Sequence, residues 1–469
     1  MNTIRFKKMD GTAVALKKSD INSSLSGEII MPDSEKYDDA RALWNGMIDK
    51  KPSLFVRVSD EQAVVKAVNF ARTHGILLAI KSGGHNIAGK ALADGGLVID
   101  FQAMTDVIVN QQQQTVKVGP GATLADVDKA TQQYGLLVPT GINSTTGIAG
   151  LTLGGGFGWT TRKFGLTIDS LRSAKLVIAT GELLEVNANQ HADLFWAIRG
   201  GSSNFGVVTE FEFNLHLAGP EVLAGMVVHP FNDVKNVLQQ YQAAIDKAPE
   251  ELSCWVVMRK APPLPFLPEE WHGKEVVVLA MCYVGDIAQG QAATAEIRKI
   301  GQPIADVVGP MPFVDWQAAF DPLLAEGARN YWKSLDMAQL NTETVTEIAH
   351  AIQTLPSDEC EIFIAHLGGA MTKVAPHATP WLNRNAHFTM NIHTRWQHAQ
   401  DDDLCRQWAR QLHAKLTQYS MGSIYVNFIP EGDDNSIGEA YGSNFARLKS
   451  IKQQFDPANL FRINQNIVP

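Results

Sequence analysis

The chain has 469 residues, 45% hydrophobic and 19% charged, with a formal net charge of −9. That length exceeds one ordinary core and predicts two or three domains, and the acidic balance leaves no cation excess to neutralise phosphates, which excludes a general nucleic-acid binder. Cys254, Cys282, Cys360 and Cys405 show no CxxC spacing, and there is neither an 18-residue apolar run nor an apolar N-terminal h-region. No metal site, disulfide framework or membrane span is therefore expected, and the default location is cytoplasmic.

In chain order, a short opening segment leads to a predicted helix carrying Asp38, Asp39 and Arg41 on its polar side and Leu43, Trp44 and Met47 inward, ended by Pro52. Leu54 to Val58 alternates as a strand. Ser59 with Gln62 three residues later resembles a capping box opening a helix from Ala63 to His74. The apolar run 76–80 then enters Lys81-Ser82-Gly83-Gly84-His85-Asn86, completing a β-α-β unit. Adjacent glycines permit positive φ and close backbone approach, so this turn can form an anion nest with an imidazole at its rim; the same residues also read as a plain β-turn with a surface histidine.

Strands are expected over 96–100, 106–109 and 115–118, then a helix from Leu124 to Tyr134. From Gly141 to Gly158 seven glycines occur in eighteen residues, interleaved with Ile148, Leu151, Leu153 and Phe157. Such a density argues against helix or ordinary strand and for backbone lying against a ligand, and the apolar residues argue against a flexible linker. Strands over 173–178 and 183–186, a short helix over 193–199, the turn Gly200 to Gly206 and a strand over 207–213 follow. Composition changes near Gly219-Pro220, after which longer strands alternate with helices up to about residue 410. This segment reads as an antiparallel sheet covered by helices. Ser423 to Phe428 is a predicted strand, and a helix over 444–455 precedes the tail Asp456-Pro457-Ala458-Asn459-Leu460-Phe461-Arg462-Ile463-Asn464-Gln465.

Three of these stretches, the Ser-Gly-Gly-His-Asn turn, the cradle 141–158 and Gly200 to Val208, together resemble the p-cresol methylhydroxylase type of FAD-binding domain, in the vanillyl-alcohol oxidase superfamily. Tyr441-Gly442-x-Asn444 and the Asp456-Pro457-x-Asn459-x-Phe461-Arg462-x-Asn464-Gln465 tail are similar to the berberine bridge enzyme-like branch. No GxGxxG opens a helix, which disfavours a Rossmann cofactor domain. The resemblance implies an α+β protein: a two-subdomain FAD-binding domain from residues 1–220, completed by 410–469, and an antiparallel-sheet substrate domain over 221–409. It implies an FAD-dependent oxidoreductase moving hydride from a substrate alcohol or related C–H to flavin, with O2 as electron acceptor and H2O2 as product. The apolar and aromatic residues of the middle segment lean toward a natural-product-like or aromatic small-molecule substrate. An oligosaccharide or alditol oxidase or dehydrogenase, and a flavin-binding protein without turnover, are the alternatives.

The resemblance also assigns residues. His85 is the expected covalent anchor to the flavin 8α-methyl. Relatives with a second, cysteinyl tether carry it in a Gly-x-Cys triplet where this chain has Gly141-Ile142-Asn143, so His85 is expected to be the single tether. Lys81, Ser82, Gly83, Gly84 and Asn86 are expected to hold the pyrophosphate. Gly141, Thr145, Thr146, Gly147, Gly150, Gly154 and Gly155 are expected along the flavin, with Asn204, Val207, Asn427 and Asn464 as further cofactor contacts. Tyr425 is the expected catalytic base, which requires its pKa to fall roughly 2–3 units from about 10. Lys333 is a candidate cation for that shift. Ile87 stands where relatives often carry a second tyrosine. His393, Trp332, Trp396 and Phe388 are candidates for substrate contact, with sheet and core packing as the alternative for each.

Overall fold

The computed structural model describes residues 2–469. Alternating apolar residues form three main sheets. The first is four-stranded, in the order Glu28–Ile30, Leu54–Arg57, Leu97–Asp100 and Leu78–Lys81; its last three strands run parallel. The crossover between Leu54–Arg57 and Leu78–Lys81 is the helix Glu61–His74, which buries Val64, Ala67, Val68 and Ala71 at helical spacing. Its cap is Asp60, whose side chain accepts from the Ala63 amide, one residue after the expected Ser59. A hairpin, Thr3–Lys7 with Ala13–Lys17, precedes this sheet and was not legible as strands. The helix expected through Met47 is only Tyr37–Arg41; the chain is extended at Ala42 and turns between Asn45 and Ile48.

The second sheet is antiparallel, in the order Leu183–Asn187, Leu171–Val177, Val207–Asn214, Thr115–Val118 and Val107–Asn110. The helix Leu124–Gln132 lies nearby, opened by a Thr123–Asp126 capping box. Within the glycine-rich cradle the expectation of no helix fails. Ile148–Leu153 forms one short helix between Gly147 at its N-cap and Gly154 at its C-cap, because Ile148, Ala149, Thr152 and Leu153 supply a buried side.

The third sheet is antiparallel and follows the order Ala305–Asp306, Glu221–Pro230, Glu275–Tyr283, Leu252–Lys260, Glu361–His366, Phe388–Trp396 and Arg329–Met337, with Gly309–Pro312 also on Glu221–Pro230. Strand alternation gives this sheet two distinct faces. Leu252, Cys254, Val256, Met258, Ile362, Ile364, Met390 and Ile392 meet the helices Val234–Ile245, Thr342–Ile352 and Asp402–Leu416 in one core. The residues between them, including Trp255, Arg259, Glu361, Phe363 and His393, point the other way, toward the glycine-rich segments. The helix Asp402–Leu416 lies on this sheet, so residue 410 falls inside it.

The C-terminal helix Phe445–Phe455 returns to pack beside Ala192–Ile198. Its Lys452 is fully buried and donates to Asp456 at 2.7 Å and to the carbonyls of Asn204 and Phe461. Asp456 in turn accepts from the amides of Leu460 and Phe461. The Asp-Pro tail therefore closes the chain through a satisfied buried ion pair.

Candidate active site

A cavity of about 300 Å³ opens where the turn 82–86, the cradle 141–157, the tail at Ile463 and Asn464, and the free face of the large sheet meet. The turn and the cradle touch through backbone. A Cβ on Gly83 would lie 2.4 Å from the Gly147 nitrogen, and one on Gly147 would lie 2.4 Å from the Gly83 nitrogen, so only glycine allows this approach. Gly150, by contrast, has nothing within 4 Å of its Cβ position.

His85 stands at the rim. Trp44 stacks on its ring at 5.4 Å and 20°, and Trp44 is itself fixed by donation to the Leu324 carbonyl at 2.7 Å. Thr145 Oγ1 lies 3.1 Å from His85 Nε2 and Thr146 Oγ1 lies 3.4 Å from Nδ1. Burial pushes the imidazole pKa down to about 4, opposed in part by a hydrogen bond to the Thr145 backbone. The ring is therefore neutral at physiological pH, the state in which it carries a nucleophilic lone pair.

Across the cavity, Tyr425 packs among Phe157, Trp381 and Phe428 at centroid distances of 5.0, 5.1 and 4.7 Å. Its hydroxyl oxygen accepts from Asn427 Nδ2 at 2.8 Å and from the Gly156 amide at 3.3 Å. The predicted strand is absent here; Val426–Phe428 is a 3-10 turn, which brings the Asn427 amide back onto the Tyr425 hydroxyl.

On the third wall a row of side chains crosses four neighbouring strands. Arg259 faces Glu361, Glu361 faces His393, and His393 faces Trp332 in the strand register. Arg259 Nη1 donates to Glu361 Oε2 at 2.8 Å, and His393 lies 3.1 Å from Glu361 Oε1 through Nδ1 and 3.1 Å from Asn330 Oδ1 through Nε2. Burial alone would raise the Glu361 pKa, but the Arg259 charge and the His393 hydrogen bond hold it down to about 2. Around this row the wall is apolar: Met226, Val228, Trp255, Val257, Val276, Val278, Phe363 and Phe428.

Residues 52–187 match the family described as an FAD binding domain, and residues 424–468 match the one described as berberine and berberine like. An FAD-linked oxidoreductase of Aspergillus terreus is 38% identical over 494 residues, covering 98% of each chain. One from Dictyostelium discoideum is 33% identical over 452 residues, covering 95% of each. This chain belongs to the berberine bridge enzyme-like FAD-linked oxidoreductases. The (R)-6-hydroxynicotine oxidase of Paenarthrobacter nicotinovorans is 27% identical, with 95% of this chain and 97% of that one covered. The crystal structure of 6-hydroxy-D-nicotine oxidase from Arthrobacter nicotinovorans has the same fold, with TM-score 0.86, 27% identity and coverage of 95% and 98%. A xylooligosaccharide oxidase from Myceliophthora thermophila, 24% identical at TM-score 0.83, shares the fold.

As a berberine bridge enzyme-like flavoprotein, the chain binds FAD, and the cavity fits that group. A glycine-only contact joins two of its walls, Gly150 leaves one face open, and the buried Asn464 at the wall has an Oδ1 with no protein partner. Of the residues expected from sequence, Ser82, Gly83, Gly84, His85, Asn86, Gly141, Thr146, Gly147, Gly150, Tyr425, Asn427 and Asn464 line this cavity. Thr145 joins them through His85.

Other expected contacts lie away from the wall. The Lys81 ammonium is buried against the Ala40 carbonyl at 2.5 Å. Gly154 and Gly155 are covered, their Cβ positions lying 2.3 Å from the Asn427 amide and 2.4 Å from the Trp381 ring. Asn204 is committed to the tail, bonding the Gln465 carbonyl and the Ile467 amide, and Val207 packs in the core of the first sheet. Lys333 is paired with Asp433 and contributes no charge beside Tyr425. Burial instead pushes the Tyr425 phenol up to about 12, with Asn427 and Gly156 partly offsetting it, so the expected fall does not occur. His393 is both a satisfied sheet histidine and a cavity residue, and Trp332 lines the wall beside it. Trp396 and Phe388 face the helices and belong to the core.

Trp44, Trp255, Arg259, Glu361, Phe363 and Phe428 were not anticipated at the site. Strand alternation carried part of the signal: extending the strand read at 255–258 by one residue puts Arg259 on the same face as Trp255 and Val257.

Proposed function

We propose that the protein is an oxidase that holds FAD through one covalent bond from His85 and oxidises a hydroxyl-bearing aromatic or natural-product-like molecule, with O2 as the final acceptor. The observation that carries this reading is the single cavity that places a neutral His85, the Tyr425 hydroxyl and an apolar sheet face around one space. The bound FAD supplies the two-electron acceptor. Ser82, Gly83, Gly84, Thr146, Gly147 and Gly150 hold it by backbone and hydroxyl groups, with Asn464 at the far wall.

Tyr425 receives the substrate hydroxyl proton. Two N–H groups, from Asn427 and Gly156, already point at its oxygen and stabilise the phenolate form that accepts the proton. The aromatic residues exclude water and stack planar substrate, while Arg259, Glu361 and His393 offer one polar point on an otherwise apolar wall. A sugar-binding groove needs hydrogen-bond partners along its length, and the apolar sheet face does not supply them. The chitooligosaccharide oxidase of Gibberella zeae, 26% identical over 98% of this chain, keeps the sugar reading as the second arm of the test.

Two measurements test the reading. Acid precipitation of the purified yellow protein is expected to leave flavin in the pellet; flavin released entirely to the supernatant removes the tether. A panel of phenolic, polycyclic and oligosaccharide alcohols followed by peroxide release is expected to give turnover with the aromatic members. Turnover confined to oligosaccharides overturns the substrate assignment.

A further inference from the structure

The polar row on the large sheet contains a histidine whose hydrogen-bond partners fix its charge. Asn330 is buried, and its Nδ2 donates to the Ala328 carbonyl at 2.8 Å. A carbonyl can only accept, so the amide orientation is set, and Asn330 Oδ1 is the atom facing His393 Nε2 at 3.1 Å. On the other side of the ring, Nδ1 faces Glu361 Oε1 at 3.1 Å, and Glu361 is ionised. Both ring nitrogens therefore meet acceptors that have no proton to give. Each must donate, and a histidine that donates twice is an imidazolium. Arg259 completes the row, giving Nη1 to Glu361 Oε2 at 2.8 Å and Nε to the Lys260 carbonyl at 3.2 Å. Arg259 is only 8% exposed, and among the described residues its Nη2 has no protein partner. The neighbouring charges cancel: Arg395 pairs with Glu359 at 2.9 Å and Lys260 with Asp358 at 2.6 Å. Two cations and one carboxylate leave the row one positive charge in excess, on a wall otherwise made of residues such as Trp255, Val257, Val276 and Phe363.

We propose that Arg259 and His393 form an anion subsite for the aromatic substrate, which carries an anionic oxygen, from a carboxylate or an ionised phenol, that accepts from Arg259 Nη2. The inference rests on the aromatic-substrate reading above and deepens it by naming a charged group on that molecule. The driving force is burial. A charge in excess on an apolar wall is costly while unpaired, and an anion seated there neutralises it and gains a charge-assisted hydrogen bond. Glu361 holds both cations in place, Oε2 taking Arg259 and Oε1 taking His393, but one carboxylate cannot neutralise two charges. A neutral hydroxyl could accept the same hydrogen bond and would leave the excess charge unpaired. Strand register sets Arg259, Glu361 and His393 side by side, so the subsite is formed before the ligand arrives. Trp255, Phe363 and Phe428 line the same cavity and take the aromatic ring that carries the anion.

The test uses the purified holoprotein and two probes of the same shape, 2-naphthoate and 2-naphthamide, with affinity read by equilibrium dialysis and by the change in flavin absorbance. The variants are Arg259→Met, Arg259→Lys and His393→Gln. The wild type is expected to bind naphthoate roughly ten- to hundredfold more tightly than naphthamide, the scale of one hydrogen bond to a charged group. Arg259→Met and His393→Gln each bring that ratio toward one while leaving naphthamide affinity unchanged, and Arg259→Lys restores most of the ratio because it keeps the charge. The naphthamide value separates loss of charge from loss of the cavity. Equal affinity for the two probes in the wild type, binding of neither, or an unchanged ratio in Arg259→Met overturns the subsite. Nitrogen NMR of histidine-labelled holoprotein at neutral pH, assigned through His393→Gln, is expected to show both His393 nitrogens protonated; a lone pair on either one overturns the charge assignment and the subsite with it. Turnover confined to oligosaccharides refutes the aromatic-substrate reading instead, and the naphthoate preference then decides the anion subsite on its own.

Discussion

Tyr425 gives the sharpest prediction, because its environment sets the pH range in which it can act. Burial raises the phenol pKa to about 12, and the Asn427 and Gly156 donors lower it only in part. A raised tyrosine pKa means the neutral form dominates at every pH below that value. At pH 8, about four units lower, on the order of one molecule in 10⁴ carries the phenolate, and forming it costs about 5 kcal/mol. If the ionised Tyr425 accepts the substrate proton, the logarithm of the flavin-reduction rate rises by about one per pH unit from pH 6 to pH 10 without a plateau. Anaerobic stopped-flow bleaching of the flavin with a turned-over substrate measures this. Tyr425→Phe is expected to lower the rate by roughly 10²-fold or more and to flatten the profile. Asn427→Leu keeps the slope but lowers the rate, since the pKa moves further up when a donor is lost. A wild-type profile that is flat or levels near neutral pH, or an unchanged rate in Tyr425→Phe, refutes the assignment.

The two open-chain walls of the cavity separate folding from binding. Gly83→Ala forces a Cβ to 2.4 Å from the Gly147 backbone, so both thermal stability and flavin content should fall; Gly150→Ala meets nothing within 4 Å and should keep its melting temperature while losing flavin affinity, read by titration of the apoprotein. Asp456→Asn leaves Lys452 charged in a fully buried site and should cost about 3–5 kcal/mol in denaturant unfolding. Glu361 has a depressed pKa of about 2 in the folded protein, so its stabilisation is complete above about pH 4.5 and is lost as pH falls from there toward 2. Glu361→Gln should remove that acid-range dependence from the pH–stability curve.

Two elements were legible because each rests on a local rule. Adjacent glycines at 83–84 mark a turn that backbone approaches, and the period-2 run at 207–213 marks a strand whatever surrounds it. The failures have equally local causes. Gly150 inside 148–153 argues against helix by propensity, yet the burial of Ile148, Ala149 and Leu153 outweighs one glycine at roughly 1 kcal/mol. Tyr425 sits in an alternating run that reads as strand, but backbone pairing to the edge strand Arg329–Met337 stops at Met421 and Ser423 on Asp336; the Tyr425 amide bonds the Ser334 hydroxyl instead, and the chain turns. Lys333 shows the limit most clearly: its partner Asp433, a hundred residues away, was not readable.

The Arg259–Glu361–His393–Trp332 row carries a consequence for what the enzyme recognises. Each of these residues is one step from a neighbour that faces the helices, so a one-residue slip of any strand would remove it from the cavity and bury Met258, Ile362 or Ile392 at the wall instead. Register is therefore what puts charge on an otherwise apolar face. The helix side, with its continuous aliphatic core, is the part that specifies register, since any slip would expose it. The polarity of this cavity wall thus depends on residues that never line it. Changing the polarity of the row by substitution at 259, 361 or 393 alters the cavity without touching that core, whereas changes at 258, 362 or 392 act on both. His85, proposed above as the flavin anchor, is independent of all of them. It is fixed by Trp44, Thr145 and Thr146, so the proposed anchor and the polar row belong to separate parts of the chain.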